Sequence, residues 1–222
     1  MPHADGAPAD AAIVVVAAGA STRMGFDKAW VELAGQPLAM RVVDVACEVS
    51  PMEVVLVVAE HRLGSAGRPS RPVRIVAGGV RRRDSVAAGL RATRATWVAV
   101  HDAARALVPP SLFGTGFRAA TATGAAVPVL PVKDTIKRLA HGRVQETLPR
   151  ADLVLVQTPQ IFRRDVLAAA LALSDDDVTD EATLVERLGV PIATFPGDER
   201  NFKITTPFDL ALARWLVSEP GV

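Results

Sequence analysis

The fold class predicted by the sequence is a single α/β domain with a mostly parallel central sheet and a protruding β-hairpin arm. Three observations carry that expectation. Short Val-rich runs recur along the chain, helical patterns lie between several of them, and one stretch from Asp134 to Pro149 breaks the alternation. With 222 residues, half of them hydrophobic, the chain can bury a sizeable core as one domain.

The first twelve residues, MPHADGAPADAA, have neither the basic segment nor the long apolar segment of a signal peptide. They are expected as a disordered tail (1–12), with the domain over 13–218. Ile13 to Ala18 then reads as a strand buried on both faces, ending at Gly19 and small polar residues. Similar runs follow at Val54 to Ala59, Val73 to Val76, Trp97 to Val100, Ala125 to Leu130 and Leu153 to Val156. Between them, Leu38, Val42, Val45 and Val49 share one helical face, and Phe208, Leu212 and Trp215 share another near the end. The last helix announces its start, with Thr206 as N-cap, Pro207 in the first turn and Asp209 completing a capping box. Strands alternating with helices imply a sheet covered on both faces, with ligands outside the carboxyl ends of the strands. The exception, DTIKRLAHGRVQETLP, reads as two strands around His141-Gly142 with too few core residues for a layer of its own. An isolated hairpin is marginal, so this arm (about 132–152) is expected to pack on a partner subunit.

Charge and composition exclude several functions. Lys plus Arg total 25 against 24 Asp plus Glu, a net charge of +1, so no global field attracts nucleic acid or an anionic membrane. No window approaches the roughly 18 apolar residues of a membrane helix, and a soluble protein is expected. The lone Cys47 excludes a disulfide framework or cysteine metal site within one chain, which suits a reducing cytoplasm.

The first post-strand loop reads Ala17-Ala18-Gly19-Ala20-Ser21-Thr22-Arg23-Met24-Gly25, followed by Lys28. Small residues let backbone N–H groups approach a polyphosphate, and Arg23 and Lys28 supply charge there. The loop is neither a Walker loop nor the G-x-G-x-x-G fingerprint; a small-residue turn with two surface cations is the plainer alternative. Asp102 follows the strand ending Val98-Ala99-Val100, at the sheet edge where a hard cation would meet a carboxylate. A helix cap or a pair with Arg105 would also account for it. His101 is expected to be buried and hydrogen-bonded, Arg81 and Arg83 to belong to a solvated basic turn, and the Asp175-Asp176-Asp177 run to be a surface loop.

The pattern Ala-Ala-Gly-x-x-x-Arg-Met with a following Lys resembles the signature of sugar-phosphate and cofactor nucleotidyltransferases. Later motifs narrow the match: Gly78-Gly79 with Arg82, Asp84 and Ser85, then His101-Asp102-Ala103-Ala104-Arg105, Val132-Lys133-Asp134-Thr135, Gln157-Thr158-Pro159-Gln160, Thr179-Asp180-Glu181-Ala182 and Asn201-Phe202-Lys203-Ile204-Thr205. In order and spacing they are similar to the 2-C-methyl-D-erythritol 4-phosphate cytidylyltransferase family, from about Ile13 to Trp215. The resemblance implies a Rossmann-like nucleotidyltransferase domain. It implies that CTP reacts with 2-C-methyl-D-erythritol 4-phosphate to give 4-diphosphocytidyl-2-C-methyl-D-erythritol and pyrophosphate, on the non-mevalonate route to isoprenoid precursors. It also implies Mg²⁺ or another divalent cation, and a homodimer whose arms complete each other's sites.

By the same resemblance, Ala17, Ala18 and Gly19 match the backbone cradle, while Arg23 and Lys28 match the triphosphate-binding cations. Gly79 and Ser85 match cytosine-recognising positions, with Arg82 in that loop. Asp102 and Arg105 match the acceptor site, Asp102 also facing the metal ion. Thr158, Thr179 and Lys203 match further acceptor positions, and Thr135 and Arg150 match residues of a neighbouring arm. Arg23, Lys28 and Lys203 are the expected catalytic charges. The chain departs from the family pattern at Ser21, Asp27 and Val80, where glycine, proline and an acidic residue are usual. Its opening, Ser21-Thr22-Arg23-Met24-Gly25 with Asp27-Lys28-Ala29, also looks like that of molybdenum-cofactor nucleotidyltransferases, the alternative reading; Asp102, Arg105 and the Thr135/Arg150 arm suit a small phosphorylated polyol better.

Overall fold

In the computed structural model, which describes residues 6–19, 27–67, 69, 71–173, 176 and 178–219, the fold is organised around β1 (Ala11–Ala17). β1 runs parallel to β4 (Glu53–Val58) on one side and to β6 (Trp97–Asp102) on the other. Since successive side chains of a strand point to opposite faces, Ile13 and Val15 enter one core with α1 (Leu38–Glu48) and α3 (Pro110–Ala120). Val14 enters a second core with α2 (Arg82–Arg91), α4 (Arg164–Leu173) and α5 (Glu181–Arg187). All three side chains are fully buried, each worth roughly 1.5–3 kcal/mol against exposure. Burial on both faces is why these strands read as unbroken valine runs.

The remaining elements are β2 (Glu32–Leu33), β3 (Gln36–Pro37), β5 (Arg74–Ala77), β7 (Ala125–Pro131), β8 (Ile136–Ala140), β9 (Arg143–Leu148), β10 (Val154–Val156), β11 (Gln160–Arg163), β12 (Ala193–Pro196) and α6 (Pro207–Ser218). The central sheet follows β10-β7-β11-β6-β1-β4-β5, with β12 also paired to β7. It is mostly parallel, but β11 runs antiparallel to both β6 and β7, and β10 antiparallel to β7. β11 (QIFR) and β12 (ATFP) lack the aliphatic run that marks the short β5 and β10, so neither is expected from the sequence. No helix among the described residues is long and apolar enough to cross a membrane.

Three local expectations need correction. β1 starts at Ala11, inside the expected tail, because Ala11 and Ala12 are small and apolar enough to pair and be fully buried. On α6 the capping box of Thr206 and Asp209 forms as expected, but its apolar stripe faces outward: Phe208, Trp215 and Leu212 are 76%, 48% and 37% exposed. The core takes the narrower face carrying Leu210 and Ala213 instead. Arg83 is buried, donating to the carbonyls of Leu171 (2.7 Å) and Asp176 (3.2 Å). It thereby satisfies a carbonyl at the end of α4, a position where helices leave acceptors unpaired. Arg81 pairs with Asp84 at 2.9 Å, and Asp176 also pairs with Arg187 at 2.5 Å.

The hairpin forms where expected. β8 and β9 make a two-stranded sheet of their own, joined by His141 (φ 49°) and Gly142 (φ 74°), the two left-handed residues that a tight hairpin turn requires.

Candidate active site

Loops after β1, β5 and β6 meet in one cleft at the carboxyl edge of the sheet. It is lined by Ala17, Ala18, Gly19 and Lys28 from the first loop region, by Gly79, Arg82 and Ser85 from the second, by Asp102 from the third, and by Lys203 from the segment before α6. Arg23 lies outside the described residues. Packing at the β5 turn is tight. A Cβ on Gly78 would stand 2.5 Å from the Ala18 Cβ and 2.6 Å from the Ser85 Oγ, and one on Gly79 would stand 2.3 Å from the Asp84 Cβ. The Gly79 N–H donates to the Ser85 hydroxyl at 3.2 Å, fixing the turn against α2.

Opposite charges gather around Asp102. Arg82 donates through Nη2 to Oδ1 (2.9 Å), Lys203 Nζ approaches Oδ2 (2.9 Å), and Arg105 Nε lies 4.0 Å from Oδ2. The other terminal nitrogen of Arg82, Nη1, pairs with Glu181. Burial works against the charged form of Asp102, but Arg82, Lys203 and Arg105 overcome it and hold the carboxyl well below the usual range. At Glu181 burial dominates, and the carboxyl is pushed up despite Arg82.

His101 sits behind the cleft, fully buried and 5.4 Å from the Phe113 ring. Burial pushes its pKa down to about 4, so the ring is neutral at physiological pH. Its contacts assign the tautomer. The Asp102 N–H donates to the Thr158 Oγ1 (3.1 Å), leaving that hydroxyl to donate to His101 Nδ1 (3.0 Å) and Nε2–H to donate to the Arg105 carbonyl (3.3 Å). Thr158, expected at the acceptor, is therefore buried behind Asp102 and holds its backbone.

A buried amide lattice carries Lys203. Gln157 donates to the Asp198 carbonyl (2.9 Å) and accepts from the Asp198 N–H (3.2 Å). Asn201 donates to the Thr158 carbonyl (2.7 Å), and Arg105 donates to the Asn201 carbonyl (2.9 Å). Gln157 and Asn201 stood in motifs that signalled them, yet nothing in their residue type marked them as supports. Glu181 was missed for the same reason.

A second recess begins at Lys203 and Arg105 and runs past Phe202 to Asp134 and Ile136 at the base of the arm. Thr135 lies exposed between those two lining residues, and Arg150 donates to the Lys133 carbonyl. Thr179 lines neither recess and stands two residues before Glu181. The expected residues thus divide into a cleft set, a set at the arm's base, and two threonines outside both. Among the described residues no group of three or more His, Cys, Asp or Glu could hold a metal ion, and Asp102 is the one carboxylate lining the cleft.

Comparison with known proteins identifies the family. A family model described as "IspD: 2-C-methyl-D-erythritol 4-phosphate cytidylyltransferase" matches residues 11–219. The chain is 47% identical over 213 residues to the 2-C-methyl-D-erythritol 4-phosphate cytidylyltransferase of Nocardia farcinica, covering 92% of each. It is 41% identical over 216 residues to a protein of that name from Dehalococcoides mccartyi, covering 93% of this chain and 95% of the relative. The crystal structure of the Thermus thermophilus protein of the same name superposes with a TM-score of 0.80 at 33% identity, over 92% of this chain and 98% of that one. This chain belongs to the 2-C-methyl-D-erythritol 4-phosphate cytidylyltransferase family.

Proposed function

We propose that this chain transfers CMP from CTP to 2-C-methyl-D-erythritol 4-phosphate, releasing pyrophosphate and forming 4-diphosphocytidyl-2-C-methyl-D-erythritol for isoprenoid precursors. The observation that carries this reading is the position of Lys203 between two recesses, one walled by the small-residue loop and Lys28, the other running to the arm. A triphosphate in the first and a phosphorylated polyol in the second would meet at that ammonium.

In-line attack of a phosphate oxygen on the α-phosphorus brings two anions together, so neutralisation and alignment supply the catalysis. A phosphate monoester with a second pKa near ~6 is already mostly dianionic at neutrality and needs no general base. The neutral, fully engaged His101 fits a mechanism without one. Lys28, Lys203 and Arg23 are assigned to the phosphates. Ala17, Ala18 and Gly19 supply backbone N–H groups, and Gly79 and Ser85 with Arg82 border the base. Asp102 and Arg105 face the acceptor with Thr158 behind Asp102, Thr179 is assigned as a further acceptor position, and Thr135 and Arg150 are assigned to an arm shared in a homodimer. The exposed Leu139 and Val144 of the hairpin support that association. A buried free thiol and a near-neutral net charge suit a cytoplasmic enzyme without nucleic-acid partners.

Mg²⁺ or another divalent cation fits beside the phosphates. Asp102 stays ionised in the cleft, and such ions typically take one or two carboxylates plus substrate phosphate oxygens and water. Asp102 would hold the ion through lone pairs that its contacts with Arg82 and Lys203 leave open, and the ion when bound would supply charge neutralisation across the phosphates.

Purified protein with CTP, Mg²⁺ and 2-C-methyl-D-erythritol 4-phosphate is expected to release pyrophosphate, with ATP, GTP and UTP poor substitutes. Equal turnover with GTP and a molybdopterin acceptor would favour the molybdenum-cofactor alternative.

A further inference from the structure

Glu181 is the most deeply buried carboxylate among the described residues, 1% exposed, and it lines neither recess. Its Oε2 accepts from Arg82 Nη1, while its Oε1 is buried without a hydrogen-bond partner among the described residues. Arg82 carries the contact forward to Asp102 Oδ1 at 2.9 Å, and Asp102 Oδ2 meets Lys203 at 2.9 Å. The four groups form one chain from α5 through α2 and β6 to the cleft.

Stability alone explains this chain poorly. Buried ion pairs are often replaceable by packed apolar groups without loss, and a half-satisfied buried carboxylate is costly. Guanidinium geometry offers a better reason. Arg presents a planar fork that grips a carboxylate through two nitrogens whenever both are available. Here Arg82 Nη1 is drawn to Glu181, so the Nη1–Nη2 edge is divided between two carboxylates; Asp102 receives a single N–H from Nη2 and keeps its second oxygen for Lys203.

We propose that Glu181 is a positioning residue that holds Arg82 to a one-nitrogen contact with Asp102 and thereby keeps Lys203 aligned at the reacting phosphates. The inference rests on the cytidylyl transfer described above. Without the Glu181 charge, Arg82 closes on Asp102 with both nitrogens and Lys203 loses its anchor. The cluster of Arg82, Arg105, Lys203, Asp102 and Glu181 simultaneously rises in net charge by one, which strengthens attraction for a polyanion. Alignment and binding therefore move in opposite directions.

The test is Glu181→Gln, which preserves shape, assayed beside the wild-type enzyme for kcat and KM and by calorimetric titration with CTP. A tenfold or greater fall in kcat is expected, with KM for CTP and the calorimetric Kd unchanged or lower. A purely structural role would instead raise Kd or leave the per-site kcat intact once the folded fraction is counted, and either result overturns the proposal. Arg82→Gln and the paired Arg82→Gln/Glu181→Gln variant provide the second arm. If Glu181 acts through Arg82, the pair is no slower than Arg82→Gln alone, whereas losses that multiply also overturn it. The paired variant leaves no unbalanced buried charge and serves if Glu181→Gln folds poorly. A wild-type chain that binds CTP but releases no pyrophosphate sinks the reaction assigned above. In that case Glu181 is judged by the calorimetric comparison, where a tenfold weaker Kd overturns its role.

Discussion

The cleft at the sheet edge and the β8–β9 arm hold their side chains in place by different means. Asp102 has 11% of its side chain exposed and sits among Arg82, Arg105 and Lys203, while Thr158 ties its backbone to a second segment of the chain. The arm holds shape through its own ladder and a few exposed pairs, Lys137 with Thr147 at 2.6 Å and Arg138 with Glu146. Exposed pairs of that kind contribute about 0–1 kcal/mol, and an isolated hairpin is marginal. Charge placement in the cleft is therefore inherited from the core. Thr135 and Arg150 at the arm's base can reach comparable precision only against another surface.

The sharpest break in this contrast should come from Lys203→Ala. It removes a cleft charge that the core holds in position, and turnover is expected to fall roughly a hundredfold to a thousandfold, about 2.7–4 kcal/mol of transition-state stabilisation. Thermal unfolding should stay within about 1 kcal/mol of wild type, because Lys203 is 40% exposed along its side chain. Steady-state pyrophosphate release beside a melting curve checks both, and an unchanged rate would remove Lys203 from the reaction. Next comes the arm. Subunits carrying Arg150→Ala and Lys28→Ala should each be slow, and verified heterodimers should regain one site with both groups intact. Activity that fails to return in those heterodimers would confine each site to one chain.

The same division explains what could be read in advance. The valine runs of β1, β4 and β6 stood out because strands buried on both faces carry few polar residues to interrupt them, and the hairpin stood out at His141-Gly142. Lys28, Gly79, Arg82, Ser85, Asp102 and Lys203 all reached one cleft because post-strand loops of a parallel sheet share an edge. What stayed hidden was tertiary. β11 inserts antiparallel between β6 and β7, bringing Thr158 behind Asp102, and its Gln-Ile-Phe-Arg has no Val-rich run to announce it. Arg83 read as a surface cation because its partners are carbonyls about 90 residues away. On α6 an apolar stripe was visible, but its direction depended on which side the core lay.

A pH effect should separate the two regions further. Folded His101 has a pKa of about 4 against roughly 6.5 unfolded, so between those values the unfolded chain binds a proton that the folded one does not. The His101 contribution is thus fully present above about pH 6.5 and is lost as pH falls towards 4, on the order of 3 kcal/mol in all. Denaturant titrations at about pH 7.5 and about pH 5 should show the loss in wild type, and His101→Gln should flatten it. Asp102, held low, adds its own loss only at more acidic pH.

The mildest comparison uses one substitution in both places. A methyl on Gly78 meets the Ala18 Cβ at 2.5 Å and Ser85 at 2.6 Å, so the turn must move where the first loop packs against it. Overpacking of that kind costs about 1–3 kcal/mol, and the displaced loop should raise KM for CTP. A methyl on Gly142 meets nothing within 4 Å, and its cost comes only from a left-handed backbone at φ 74°, about 1–2 kcal/mol. Gly142→Ala should therefore weaken the hairpin while leaving KM for CTP near wild type. If both variants raised that KM equally, the cleft would not be set by the core independently of the arm, and the contrast drawn between the two regions would be wrong.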